Sequence, residues 1–172
     1  IYVNDCEADD VIGYICKNRK AGHRKIIVTS DKDYYQLIND DIVIWSPNQK
    51  KIIDKENIKE KWGVSALNFC TARCFVGDQS DGIKGVKGAG FKTMLKHVPQ
   101  LKEEEFISVE EIVNQVKNSD NKAKVVNEII LNENRLKKNW QLMYLDSRCL
   151  SWTQIKSIKS QYESEVKKEN KM

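Results

Sequence analysis

At 172 residues the chain is long enough for one domain with a proper core. Its 29 Lys and Arg against 25 Asp and Glu leave a net charge of +4, too slight to select a partner, so the distribution of charge carries the information. Five cysteines at scattered positions (Cys6, Cys16, Cys70, Cys74, Cys149) and two histidines offer no zinc-knuckle spacing and point to reduced thiols in an intracellular protein. The longest apolar runs, KIIVTS and DIVIW, are far too short to cross a membrane, and no segment reads as a signal peptide.

The opening IYVND reads as the end of a strand. With no Met before Ile1, the expectation is a piece of a longer protein or one half of a split one. Between Glu7 and Asn18 the residues Ala8, Val11, Ile12, Ile15 and Cys16 recur at helical spacing, with Glu7, Asp9 and Asp10 in the first turn. KIIVTS (25–30) is a β-branched run suited to a buried parallel strand, followed by DKD and a helix around Tyr34 to Ile38. DIVIWSPNQKKIID (41–54) predicts two short strands around a Pro-Asn turn. Helices are expected over 54–62 and 65–75, leading into GDQSDGIKGVKGAGFKT (77–93). The alternation predicts an α/β fold, a mainly parallel sheet flanked by helices.

After Lys96 the chain reads as all helix. ISVEEI (107–112) is a capping box, Ser108 with Glu111, closed by a hydrophobic staple of Ile107 and Ile112. Val125, Val126, Ile129 and Ile130 form one stripe and Leu136, Trp140 and Met143 another, both read as core. The tail SEVKKENKM reads as a frayed end.

Seven carboxylates fall in three clusters: Glu7, Asp9 and Asp10; Asp31 and Asp33; Asp78 and Asp81. Asp31 and Asp33 follow the carboxyl end of a strand, where open α/β sheets bind their ligands. One such cluster alone reads better as a solvated turn or a helix cap. Three at element boundaries, placed at the same end of the sheet, are costly to bring together unless cations neutralise them. Hard oxygen donors point to Mg²⁺ or Mn²⁺ rather than zinc. Two such ions about 4 Å apart can activate water and stabilise a leaving oxygen on phosphate.

From Gly82 to Lys102 there is no acid, while Lys84, Lys87, Lys92, Lys96 and Lys102 are all basic. Gly85, Gly88 and Gly90 let backbone amides approach a ligand. The Walker pattern fails because Phe91 separates Gly90 from Lys92-Thr93, and the dinucleotide fingerprint fails in order and context. IKGVKGAGFKT fits a helix-hairpin-helix turn, which holds a nucleic-acid phosphate without reading bases. A bland Gly-rich turn is the alternative; the flanking lysines favour phosphate.

EADD (7–10), SDKDYYQL (30–37) and GDQSDGIKGVKGAGFKT (77–93) together resemble the motifs of the structure-specific 5′ nucleases, which include flap endonucleases and phage 5′-exonucleases. WSPNQKK (45–51) and NRLKKNWQLMYLD (134–146) are most similar to the phage ribonuclease H branch. The resemblance implies a PIN-like nuclease core, incomplete at its N-terminus, over 1–81 and a helix-hairpin-helix-type, helical DNA-binding region over 82–172. It implies that Glu7 and Asp9 serve a first metal with Asp10 beside it, that Asp31, Asp33 and Asp78 serve a second, and that Asp81 acts directly or through water. Lys84, Gly85, Lys87, Gly88, Gly90, Lys92, Thr93 and Lys96 would hold DNA, with a potassium ion on the hairpin carbonyls.

The implied cofactor is Mg²⁺, with Mn²⁺ able to substitute. The implied partners are duplex or flapped DNA, RNA–DNA hybrids, and a separate N-terminal half or replication proteins, with no membrane. The implied setting is primer removal in the cytoplasm of a phage-infected or bacterial cell. The family's upstream aspartates and basic arch have no counterpart here, so weak cleavage by this chain alone is expected. Two rivals remain: a non-catalytic duplex-DNA-binding module with vestigial acids, and a small-molecule phosphatase or sugar transferase using DKD.

Overall fold

The structure is a computed structural model that describes residues 1–18 and 24–169. The chain divides into two compact units. The described residues of Ile1–Ala21 and Leu145–Met172 form one, and those of Gly22–Tyr144 the other.

In the first unit, α1 (Ala8–Asn18) packs with a short 3₁₀ turn (Ser147–Cys149), and α8 (Trp152–Glu169) closes the chain. Their shared core is Val3, Val11, Tyr14, Leu150 and Ile158, with Cys6, Ile15 and Ile155 packed against it. IYVND is not a strand; Asn4 and Asp5 form a turn. It is held by side chains of α8 instead. Gln161 accepts from the Tyr2 backbone N–H at 3.0 Å and donates back to its carbonyl at 2.7 Å, and Gln154 donates to the Asp5 carbonyl at 2.9 Å. The expected fraying of the tail is not found through Glu169, which still belongs to α8, while 170–172 lie outside the described residues.

In the second unit, β1 (Lys25–Val28), β2 (Ile42–Ser46) and β3 (Lys51–Ile53) form one sheet. β1 and β2 are parallel with Ile27 opposite Ile44, and β3 returns antiparallel with Ile53 opposite Ile44. Ile27, Ile44 and Ile53 thereby share one buried face, while Ile26, Val28, Trp45 and Ile52 share the exposed one. The segment after β1 is a 3₁₀ turn (Lys32–Leu37), not the expected α-helix. Asp31 caps it and Ile38 returns to extended backbone, so only a short, tight turn forms.

α2 (Lys55–Trp62) opens on a reciprocal capping box between Asp54 and Asn57 and stops at left-handed Gly63. α3 (Phe69–Val76) is the central element, every residue from Phe69 to Phe75 being buried. It packs on α7 (Glu133–Met143), on α4 (Phe91–His97) and on the 3₁₀ turn after β1. It starts later than expected because Ser65 turns the chain first: the Ser65 hydroxyl and carbonyl both accept from the Asn68 N–H at 3.2 Å.

Between α3 and α4 lies an unexpected two-stranded hairpin, β4 (Gly77–Asp78) with β5 (Ile83–Lys84). α5 (Val109–Lys117) begins with the expected Ser108–Glu111 capping box, and the staple residues Ile107 and Ile112 are both buried. α6 (Lys124–Leu131) and α7 bury Val125, Val126, Ile129, Leu136 and Met143 of the expected stripes, while Ile130 and Trp140 are only half-buried. Among the described residues no helix is long and apolar enough to cross a membrane.

One buried amide fixes how the 3₁₀ turn Pro99–Lys102 and its sequel reach α5. Asn68 donates to the carbonyls of Glu103 (3.1 Å) and Glu105 (2.8 Å) and accepts from the Ile107 N–H (2.9 Å), while Thr71 donates to the Ile107 carbonyl (2.9 Å). Each buried polar group left unpaired costs about 1–3 kcal/mol. Asn68→Ala is therefore expected to lower the unfolding free energy by about 3 kcal/mol in urea titrations, against well under 1 kcal/mol for an exposed site such as Asn114→Ala.

Candidate functional site

The acids of the second unit meet because three local structures aim them at one point. Asp33 sits in the first turn of the 3₁₀ segment. Its backbone is fixed by Asp31, whose Oδ1 accepts the Asp33 N–H at 2.9 Å, and Asp31 is itself positioned by Thr29 Oγ1 at 3.1 Å. Asp78 ends β4, and Asp81 lies in the four-residue connection to β5. That connection is tightened by the Ser80 N–H donating to Asp78 Oδ1 at 2.9 Å. One carboxylate oxygen each from Asp33, Asp78 and Asp81 lies within 4.8 Å of the others, the first two half-buried and the third exposed. Three hard oxygen donors at this spacing suit a divalent cation of the Mg²⁺ or Mn²⁺ type.

Sequence reasoning passed over the cation already present. Arg73, buried on α3 and only 5% exposed, donates from Nη1 to Asp33 Oδ1 and pairs from Nη2 with Asp78 Oδ2. One guanidinium thus binds two of the three acids, through separate nitrogens. The readable signal was an arginine inside the otherwise apolar run FCTARCFV. Even so, burial pushes the Asp33 carboxyl above the usual carboxylate range. Arg73 opposes this, while Asp31 and Asp81 add to the upward push. Desolvation therefore outweighs the ion pair at Asp33.

Asp31 is outside the group of three, acting on it through the Asp33 backbone. Glu7, Asp9 and Asp10 belong to the first unit, the two aspartates in the opening turn of α1 and Glu7 just before it, where its carbonyl accepts the Val11 N–H at 3.3 Å.

The lysine-rich stretch directly follows the acid loop. Glycine is obligatory at two places here because backbones touch. A Cβ at Gly77 would lie 2.4 Å from the Gly85 nitrogen, and one at Gly85 would lie 2.2 Å from the Val76 oxygen. The Val86 N–H then donates to the Phe75 carbonyl at 2.7 Å, tying the turn to the end of α3. Buried Asn139 on α7 clamps the same place, donating to the carbonyls of Cys74 (2.9 Å) and Lys84 (3.0 Å).

Beyond this clamp the turn is open. A Cβ at Gly88 or Gly90 would meet nothing within 4 Å, so the protein's own packing does not demand glycine at Gly90. Lys84, Lys87, Lys92 and Lys96 are exposed, Thr93 is half-buried, and no ion pair among the described residues engages these lysines.

The chain is similar to known proteins in sequence and in fold. Residues 1–63 match the family described as the 5′-3′ exonuclease N-terminal, resolvase-like domain. The chain is 40% identical over 90 residues to a 5′-3′ exonuclease of Buchnera aphidicola subsp. Schizaphis graminum, covering 52% of this chain and 31% of that protein. It is 34% identical over 115 residues to flap endonuclease Xni of Pseudoalteromonas translucida, covering 65% of this chain and 42% of that one. The solved structure of a bacteriophage T5 flap endonuclease variant, described as a pseudo-enzyme-product complex with DNA and metal ions, matches with a TM-score of 0.77 at 20% identity. That match covers 94% of this chain and 60% of the phage protein. The chain thus spans less than half the length of the two curated relatives, and the resemblance read from its motifs holds in sequence and in fold.

Removing one partner of a buried ion pair costs about 3–5 kcal/mol, and a bound cation offsets the loss by mass action. Arg73→Met is therefore expected to lower stability by about that amount in EDTA, and Mn²⁺ should stabilise the variant more than the parent. Urea titrations with and without Mn²⁺ check this; equal Mn²⁺ responses would show that Arg73 does not compete with an ion at the trio, and no response in either that no ion enters it.

Proposed function

We propose that this chain, a relative of the 5′-3′ exonucleases and flap endonucleases, is part of a divalent-metal-dependent 5′ nuclease that hydrolyses phosphodiester bonds in duplex or flapped DNA. The observation that carries the reading is the juxtaposition of the Asp33, Asp78 and Asp81 oxygens with an open, unpaired run of lysines and glycines on the next turn of chain. The natural ion would be Mg²⁺, with Mn²⁺ as a substitute, and RNA–DNA hybrids belong to the same substrate class. Primer removal during replication is the role such a reaction would serve.

The residues divide by task. Asp33, Asp78 and Asp81 would hold one ion, and Glu7 and Asp9, with Asp10 beside them, would serve another. A divalent ion bound there supplies Lewis-acid polarisation of phosphate and a lowered pKa for water. Arg73 holds Asp33 and Asp78 in place, and Asp31 fixes the Asp33 backbone. Lys84, Lys87, Lys92 and Lys96 supply charge to the duplex backbone. Gly85, Gly88, Gly90 and Thr93 shape the turn that meets it, whose carbonyls are candidates for K⁺. By role, 1–81 is then the metal-binding half and 82–172 the DNA-binding half.

A second reading has one observation in its favour. Arg73 already neutralises part of the trio, as a non-catalytic DNA-binding module with vestigial acids would require.

Release of label from a 5′-labelled flapped duplex in Mn²⁺ decides between the readings. Release should be abolished by EDTA and reduced by Asp33→Asn more than about 100-fold, beyond the cost of losing an outer-sphere partner. Duplex binding that is indifferent to Mn²⁺ and to Asp33→Asn, without cleavage, would favour the binding module. Gly90→Ala should leave the urea midpoint unchanged while weakening duplex binding. Lys87→Ala with Lys92→Ala should reduce the slope of log affinity against log salt by about 2, because each phosphate no longer neutralised by a lysine keeps about one counterion.

A further inference from the structure

Three aromatic rings of the second unit stand together, and none belongs to the acid trio or the lysine turn. Trp140 near the end of α7 and Tyr144 just after it are stacked, with ring centres 4.0 Å apart and planes at 16°. Phe106 closes on both, 5.9 Å from Trp140 and 6.2 Å from Tyr144. The group is not a piece of the core: Phe106 is 40% exposed and the other two rings are only half-buried. Nor is the Phe106 ring needed to anchor its segment. Asn68 binds the Glu105 carbonyl and the Ile107 N–H, and Thr71 binds the Ile107 carbonyl, so the backbone on either side of Phe106 is already fixed.

The same fixed backbone displays charge. Glu103, Glu104 and Glu105 directly precede Phe106, all three exposed, and no ion pair among the described residues engages them. Residues 103–111 hold five glutamates and no base, in a chain whose net charge is +4. Asn68 also holds the Glu103 carbonyl, so these acids are kept next to the rings in sequence and in space. Trp and Tyr are typical anchors of protein interfaces, and the faces of their rings attract cations. The glutamates select the partner's chemistry. They repel nucleic-acid phosphate and attract lysine and arginine. Arginine suits both halves of the patch, because its planar guanidinium stacks on a ring while its N–H groups bind a carboxylate.

We infer that Glu103, Glu104 and Glu105 with Phe106, Trp140 and Tyr144 form a docking site for a basic segment of a second protein. An arginine of that segment lies over the rings, paired with the glutamates and flanked by an apolar side chain. Three rings and three acids make a patch of peptide size, so binding is weak and reversible, with a Kd of about 10–100 μM. The inference goes beyond the nuclease reading and does not rest on it.

The test uses the full chain labelled with ¹⁵N, in Mg²⁺, and an acetylated octapeptide of alternating arginine and leucine as the probe. Saturable shifts are expected for the amides of 103–106 and for the Trp140 indole N–H. A lysine–leucine octapeptide should bind a few-fold more weakly, and a glutamate–leucine one should cause no shifts. Phe106→Leu and the triple change Glu103→Gln, Glu104→Gln, Glu105→Gln should each weaken binding about tenfold while leaving the urea midpoint unchanged. Changing the same three glutamates to lysine should transfer binding to the glutamate–leucine peptide.

Shifts concentrated at Asp33, Asp78 and Asp81, shifts spread over the whole surface, or no shifts at about 1 mM peptide would overturn the inference. These mappings are made on the parent chain and hold whatever the stability of the variants. Equal peptide affinity of the parent and both folded variants would overturn it as well. A flapped duplex that shifts the signals of Phe106 and Trp140 would make the patch a nucleic-acid contact instead.

Discussion

A buried guanidinium shared by two carboxylates from distant parts of the chain is the interaction on which the rest of this structure depends. Asp33 follows the sheet, Asp78 begins a hairpin, and Arg73 stands between them on a helix whose neighbours are almost all apolar. Without a cation at that place, burial and mutual repulsion would drive the acids apart or protonate them. With it, the two segments carrying the acids are tied to one helix while a third carboxylate, Asp81, stays exposed beside them.

The same helix sets the distance between the acids and the lysines. Its end is pinned by close backbone approaches that only glycine permits, Gly77 against Gly85 and Gly85 against Val76, and by the Asn139 side chain bridging Cys74 and Lys84. Acids and bases can therefore stand a few residues apart without collapsing into salt bridges with each other. Asp33 and Asp78 turn inward to Arg73, and the lysines stay in water. Side-chain neutralisation on one half and an open backbone on the other make a surface on which a polyanion can be held at two points with a cation between.

Much of this was legible in the residues, and the parts that were not share a cause. Periodicity gave α1, the stripes of α6 and α7 and the three strands, and local side-chain chemistry gave the Ser108–Glu111 box. The acid clusters and the lysine run were visible as composition. What escaped depends on tertiary partners. Asp31 spends an oxygen on the Asp33 N–H and turns the expected helix into a 3₁₀ segment, and Ser65 delays the start of α3 to Phe69. β4 and β5 are two residues each, too short for any period to register. Arg73, Asn68 and Asn139 are polar residues in apolar settings whose purpose appears only when the carboxylates and carbonyls they serve are brought to them. A buried polar residue within an apolar helical run is the signal to look for in such a sequence.

The Asp33, Asp78 and Asp81 oxygens are proposed as a divalent-cation site superimposed on the Arg73 ion pair. The most direct measurement is anomalous diffraction from crystals of the chain grown with Mn²⁺. An anomalous peak is expected within about 2.0–2.4 Å of oxygens from these three aspartates, with Arg73 displaced from or sharing them. Crystals saturated with Mn²⁺ that show no peak there, and Arg73 still bonded to both Asp33 and Asp78, would contradict it.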